Sequence, residues 1–151
     1  MPSSSVPERR LRSGLRARGP LVLVVEDDET IRDLFASELA SAGFMVLEAA
    51  DGAVAIEKAQ CFGPHAIVLD LMLPGVDGFK VARRLRGDER TRDVAIVALT
   101  ALMSKKFEEL AFHAGCDSFM TKPVTPSAVV KELIRLLSER PGADMSRVVG
   151  R

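Results

Sequence analysis

Tryptophan and tyrosine are absent from this 151-residue chain, and seven phenylalanines are its only aromatics. Intrinsic fluorescence will therefore report poorly on it. Cysteine is scarce too: Cys61 and Cys116 stand alone, too few for a disulfide scaffold in a chain this long, and they fit a reducing cytosol as small apolar fillers. No apolar stretch approaches the roughly 20 residues of a membrane span, so a soluble, cytoplasmic protein is expected. Net charge is zero but unevenly spread: residues 1–20 carry five arginines against one glutamate, +4, and the other 16 basic and 20 acidic residues leave −4. A mildly acidic body is a poor nucleic-acid binder on its own. The arginine-rich start has no apolar h-region, which excludes a secretory signal; it slightly resembles an organellar transit peptide, but a disordered tail or an over-extended start is the expectation.

What is present is enough for one domain, since 47% of the residues are hydrophobic and the length suits a single core. Residues 66–78, AIVLDLMLPGVDG, carry the strongest signal. Their first four residues form an unbroken apolar run rich in β-branched side chains, which suits a strand buried on both faces. Asp70 ends the run and opens a loop containing Pro74, Gly75 and Gly78. A carboxylate there sits in the crevice beyond the carboxyl edge of a parallel sheet, where open α/β folds bind ligands. A second apolar run, LVLVV at 21–25, leads directly into Glu26, Asp27, Asp28 and Glu29. Asp28 suits a helix N-cap and Glu29 a first turn, but Glu26 and Asp27 stand on the strand's final residues with no capping work to do.

The remaining elements follow in alternation. Ile31, Leu34, Phe35, Leu39 and Ala42 recur at helical spacing up to Gly43, with Arg32, Asp33 and Glu38 on the other face. Strand 45–49 precedes a turn at Asp51 and Gly52, then a helix with Ala55, Ile56 and Ala59 inward, stopped by Gly63 and Pro64. Residues 80–86 form a third helix whose Arg83, Arg84 and Arg86 make a solvated face. Strand 94–99 ends at Thr100; helix 104–114 turns Phe107, Leu110 and Ala111 inward; strand 119–121 is closed by Lys122 and Pro123. Thr125 caps a last helix that begins at Pro126 and lines its inner face with Val129, Val130, Leu133, Ile134 and Leu137. Five strands alternating with five helices build a parallel sheet covered on both faces. The organisation expected is a disordered basic tail at 1–20, one α/β domain at 21–140 and a flexible tail at 141–151.

Asp70 with the LMLPGVDG that follows it resembles the phospho-acceptor segment of receiver domains, the response-regulator half of two-component signalling. The resemblance spans about residues 21–140 and extends to the acidic pair Glu26 and Asp27, to Thr100 after the fourth strand, and to Lys122 before a proline after the fifth. It implies a doubly wound, flavodoxin-like (CheY-like) three-layer sandwich with strand order 2-1-3-4-5, whose switch point between the first and third strands would gather Glu26, Asp27 and Asp70. Three clustered carboxylates require raised pKa values or a cation. Magnesium fits best, calcium being the runner-up in the absence of an EF-hand loop. The resemblance implies Asp27, Asp70 and the backbone carbonyl of Met72 as direct ligands, with Glu26 acting through water. Asp70 would accept a phosphoryl group from a histidine kinase or a histidine phosphotransfer protein, aided by Lys122 and Thr100. Thr100 and Phe119 would form the switch that alters the face made by the fourth helix, fifth strand and fifth helix. A downstream protein, or a second copy of the chain in a phosphorylation-dependent homodimer, would bind there. Glu26 replaces the commoner Asp, and Phe119 occupies a position where relatives carry Tyr or Phe. Met72 and Leu102, where relatives tune acyl-phosphate hydrolysis, are apolar, so no polar group is expected to orient an attacking water.

Other readings fare worse. A small-molecule phosphatase of the haloacid dehalogenase type wants a second acid two residues after the nucleophile, where Met72 stands. A phosphorylation-independent scaffold would be favoured by a lost acceptor or lysine, and neither is lost. His113 as a phosphotransfer histidine would lie on a helix the fold already uses. The eleven residues after Arg140 are too few for an output domain, so a stand-alone receiver that signals by contact, and not an enzyme, is the expectation.

Overall fold

The apolar runs form strands β1 (Leu21–Val25), β2 (Met45–Ala49), β3 (Ala66–Asp70), β4 (Ala95–Thr100) and β5 (Ser118–Thr121) in a computed structural model that describes residues 19–102 and 104–148. Between and after them lie helices α1 (Glu29–Ser41), α2 (Gly52–Phe62), α3 (Gly78–Arg86), α4 (Lys105–Ala114) and α5 (Pro126–Ser138). Every strand pairing is parallel and the order is β2-β1-β3-β4-β5, as the resemblance implied. Each helix starts where a side chain satisfies an orphan amide: Asp28, Asp51, Asp77, Ser104 and Thr125 each accept from the N–H three residues on. Such caps contribute about 1 kcal/mol apiece and set where each helix leaves the loop.

Alternation along the strands divides the core into two layers. Leu23, Val25, Ile67, Leu69, Ile96 and Ala98 face α2, α3 and α4, while Val22, Val24, Val68, Val97 and Leu99 face α1 and α5. β1, β3 and β4 are buried along their whole length, which is why they read as continuous apolar runs. No helix among the described residues is long and apolar enough to cross a membrane.

Several expectations need correction. Leu34 and Leu110, placed inward by helical spacing, are 50% and 42% exposed, because the smaller or more central Phe35, Leu39, Ala111 and Ala114 already fill the contact with the sheet. Arg86, placed on a solvated face, instead folds back: its guanidinium donates to the carbonyls of Gly115, Arg92 and Val94 and pairs with Asp117 at 2.8 Å. Helix α3 begins two residues early, at Gly78, behind the Asp77 cap. At the start, Gly19 and Pro20 are buried and Pro20 O accepts the Met45 amide, so the domain includes both; the rest of the basic tail lies outside the described residues. Residues 141–148 lie in part against the domain. Val148 is 2% exposed within the α1–α5 layer, and Ala143 and Met145 pack against the same layer. Gly43 permits this approach: its φ is +108°, and a Cβ there would collide with the Arg147 carbonyl.

Candidate functional site

All five strands run the same way, so their last residues share one edge of the sheet. The register pairs Val25 with Leu69, Asp70 with Leu99, and Thr100 with Thr121, which sets Glu26, Asp70, Thr100 and Lys122 at successive strand ends. β1 and β3 are neighbours with crossovers leaving in opposite directions, and this switch point holds the carboxylates. One oxygen each from Glu26, Asp27 and Asp70 lies within 4.8 Å of the others. Asp70 is 4% and Glu26 5% exposed, whereas Asp27 faces solvent.

Lys122 closes the cluster from the β5 side. Its Nζ donates to Glu26 Oε1 at 2.8 Å and to Asp70 Oδ2 at 3.3 Å, while its backbone amide donates to Thr100 O. The other oxygens of the two buried acids take backbone donors: Met72 N–H to Asp70 Oδ1 and Asp28 N–H to Glu26 Oε2. Burial pushes the Glu26 carboxyl up, helped by the Asp70 charge and opposed by Lys122 and the Asp28 amide. Burial works against the Lys122 ammonium, but its bonds to Glu26 and Asp70 prevail and hold it above an ordinary lysine.

Thr100 is wholly buried at the end of β4, and its Oγ1 accepts the Leu102 amide at 3.0 Å. Phe119 pairs with Ala98 across β4 and β5, which puts its ring on the same side of the sheet as Thr100. It is partly buried against the α2–α4 layer and borders an open hollow of about 370 Å³ with Ser104, Lys105, Glu108 and Thr121. The Met72 side chain is exposed beside Asp70.

Two contributors escaped sequence reasoning. A Cβ on Gly78 would lie 2.5 Å from Leu71 Cα and 2.7 Å from Asp70 O, so α3 can press its first turn against the Asp70 strand end only with glycine there. The signal available was a glycine directly after the Asp77 cap. Arg32, assigned to the outer face of α1, donates from Nη1 to Glu26 O at 2.8 Å and pairs with Glu48 at 3.4 Å. An arginine one turn into the helix that follows an acidic strand end was its only trace.

The donor set suits a hard divalent ion, since it consists of oxygens alone and three carboxylates against one ammonium leave a deficit of two positive charges. A doubly wound sheet with such a cluster at its switch point defines a flavodoxin-like α/β domain with an acidic cluster that could hold a cation. The chain belongs to the response regulator receiver domain family, which matches residues 22–134, and is thus a receiver domain of two-component signalling. It is 41% identical over 127 residues to the DNA-binding dual master transcriptional regulator RpaA of Synechocystis sp., covering 82% of this chain and 53% of RpaA. The chain spans about half the length of the first curated relatives it matches. The polar-differentiation response regulator DivK of Brucella ovis is 29% identical over 118 residues, covering 78% of this chain and 96% of DivK. Among solved structures, the receiver domain of the sensor histidine kinase PA1611 from Pseudomonas aeruginosa PAO1, with a magnesium ion coordinated in its active site cleft, superposes with a TM-score of 0.74. It is 31% identical and covers 80% of this chain and 99% of that one.

Proposed function

We propose that this receiver accepts one phosphoryl group on Asp70 and thereby changes its affinity for a partner. The observation that carries the reading is the placement of Asp70, a buried carboxylate with Lys122 on one oxygen and the Glu26–Asp27 pair within 4.8 Å. In the transfer, an Asp70 oxygen bonds to phosphorus as the bond from phosphorus to the donor's imidazole nitrogen breaks, its electron pair staying with the imidazole. Lys122, already held against Asp70, offsets charge on the incoming phosphoryl oxygens, and the Met72 amide fixes the carboxylate's orientation. Asp27, Asp70 and the Met72 carbonyl would hold magnesium, with Glu26 acting through water; when bound, the ion supplies charge neutralisation on the phosphoryl oxygens.

The donor in this reading is a histidine kinase or a histidine phosphotransfer protein. The acyl phosphate carries roughly two negative charges where the carboxylate carried one, and the Thr100 hydroxyl turns from the Leu102 amide to a phosphoryl oxygen. Phe119, at the rim of its hollow, follows inward, and the α4–β5–α5 face presented to a downstream protein or a second copy changes. A benzyl ring has no hydroxyl to desolvate, which keeps the inward state accessible before phosphorylation.

Incubation with acetyl phosphate and Mg2+ is expected to add one phosphoryl group by intact-mass measurement and none to Asp70→Asn. Equal uptake by the substituted chain removes Asp70 as acceptor. Thr100→Ala is expected to take up phosphate yet lose the gain in partner or self-association that a beryllofluoride mimic gives the parent.

A further inference from the structure

Resting on the metal-assisted reading above, we infer that Arg32 is a positioning residue for the acidic turn, holding the Glu26–Asp27 peptide where both carboxylates and Asp70 can share one cation. Glu26 extends the β1–β2 pairing by one residue, its N–H bonded to Ala49 O at 3.1 Å. Immediately beyond it the chain must leave the sheet and start α1 at the Asp28 cap. A peptide unit is planar, so the Glu26 carbonyl and the Asp27 amide move as one plate. Whatever grips that carbonyl sets the direction in which Asp27 departs.

Arg32 Nη1 is that grip, at 2.8 Å. The guanidinium is itself held from behind, with Nε 3.4 Å from Glu48 Oε1 at the end of β2 and the side chain only 16% exposed. Its backbone amide closes the first helical turn on Asp28 O at 2.9 Å. On the opposite side of the turn the Glu26 carboxylate accepts the Asp28 amide at 3.1 Å. One side chain therefore ties α1, the acidic turn and β2 together, as partners standing behind a metal ligand do elsewhere.

Two other roles can be separated from this one by sign. A cation that merely lowers the negative potential of the cluster would, when removed, tighten binding of a divalent ion. A bond that merely stabilises the fold would, when removed, lower the melting point and leave the affinity of folded molecules unchanged. Loss of positioning weakens the affinity itself, by about tenfold for a typical ligand-supporting partner.

The experiment is calorimetric titration of Mg2+ into the full chain, its Arg32→Ala and Arg32→Gln variants and Asp27→Asn, alongside far-ultraviolet melting without metal. Both Arg32 variants are expected to bind Mg2+ about tenfold more weakly than the parent, including at temperatures where each is fully folded. Equal or tighter binding by a folded Arg32 variant overturns the inference; if Arg32→Ala fails to fold, Arg32→Gln decides alone. A parent that binds no Mg2+, or an Asp27→Asn chain that binds as the parent does, overturns the cation-site reading and this inference with it. Asp27-dependent binding with unaltered Arg32 variants overturns this inference only.

Discussion

At the carboxyl edge of the sheet three carboxylates face one lysine, and at the amino edge one carboxylate faces two arginines. Asp117, just before β5, accepts from Arg86 of α3 at 2.8 Å, from Arg140 beyond α5 at 3.1 Å and from the Ile96 amide at 2.8 Å. Arg86 and Arg140 spend their other donors on backbone carbonyls of Gly115, Val94 and Asp93. Both Asp117 oxygens and both guanidiniums there have internal partners, and the groups joined are helix ends and strand starts. At the other edge the charge does not close: the deficit is two positive charges, and Glu26 and Lys122 both hold their protons more tightly than usual. The balanced cluster belongs to the fold. The unbalanced one awaits something from outside, and excess charge of one sign in a half-buried crevice is the more useful pointer to function.

Substitutions in the two clusters should have opposite consequences. Asp27→Ala is expected to weaken Mg2+ binding by at least about tenfold while leaving the metal-free melting point unchanged or raised, since a like charge has gone. Glu26→Ala should weaken it less, because Glu26 is spoken for by Lys122 and the Asp28 amide. Asp117→Ala is expected to do the reverse, lowering stability by about 2 kcal/mol through two arginines left with unmet donors while Mg2+ affinity stays as it was. Calorimetry and denaturant melts on the three variants check this. Comparable affinity losses for Asp27→Ala and Glu26→Ala would contradict the ranking of ligands.

A smaller effect tests whether the amino edge extends into the segment after Arg140. Val148→Ala removes two buried methyl groups from the α1–α5 layer and should cost about 1.6 kcal/mol, with no change in phosphoryl uptake. Unaltered stability would return that segment to the status of a tail.

These two edges also differ in how readable they were. Buried strands announce themselves as apolar runs, and a charge at the end of such a run has no structural reason to be there, so Glu26, Asp27 and Asp70 stand out along the sequence, whereas Lys122, after a short and mostly unburied strand, was named by the resemblance. Asp117 and Arg86 are 31 residues apart and look like a turn and a solvated helix face; only the strand order brings them together. Leu34 and Leu110 keep helical spacing, but spacing gives a direction and says nothing of whether a neighbour covers it. Val148 sits in a short stretch of mixed polar and apolar residues with no helix or strand period, and its burial depends on Gly43 letting the Arg147 carbonyl approach. Arg32 is similar: nothing local distinguishes an arginine facing water from one that reaches back to Glu26.

The two thiols allow the balanced edge to be watched directly. Cys116 adjoins Asp117, and burial pushes its thiol up to about 12, the nearby Arg86 charge offsetting only part of that rise. Cys61 is exposed on α2. At pH 8 an aromatic disulfide reagent should therefore label one thiol of the native chain at once, and Cys61→Ser should remove that fast phase. Labelling of Cys116 requires the edge to open, because thiolate is the reacting form and the closed site suppresses it. A folded pKa raised from 9.0 to about 12 stabilises the fold fully below the unfolded value, and that contribution is lost as pH climbs through this window, so the slow phase should quicken there. If Asp117 holds the edge shut, Asp117→Ala accelerates the slow phase about 30-fold at pH 8, the equivalent of about 2 kcal/mol, whereas Asp27→Ala at the far edge leaves it alone. A slow phase that responds to Asp27→Ala as much as to Asp117→Ala would mean that the two edges open as one unit, and the division drawn between them would not hold.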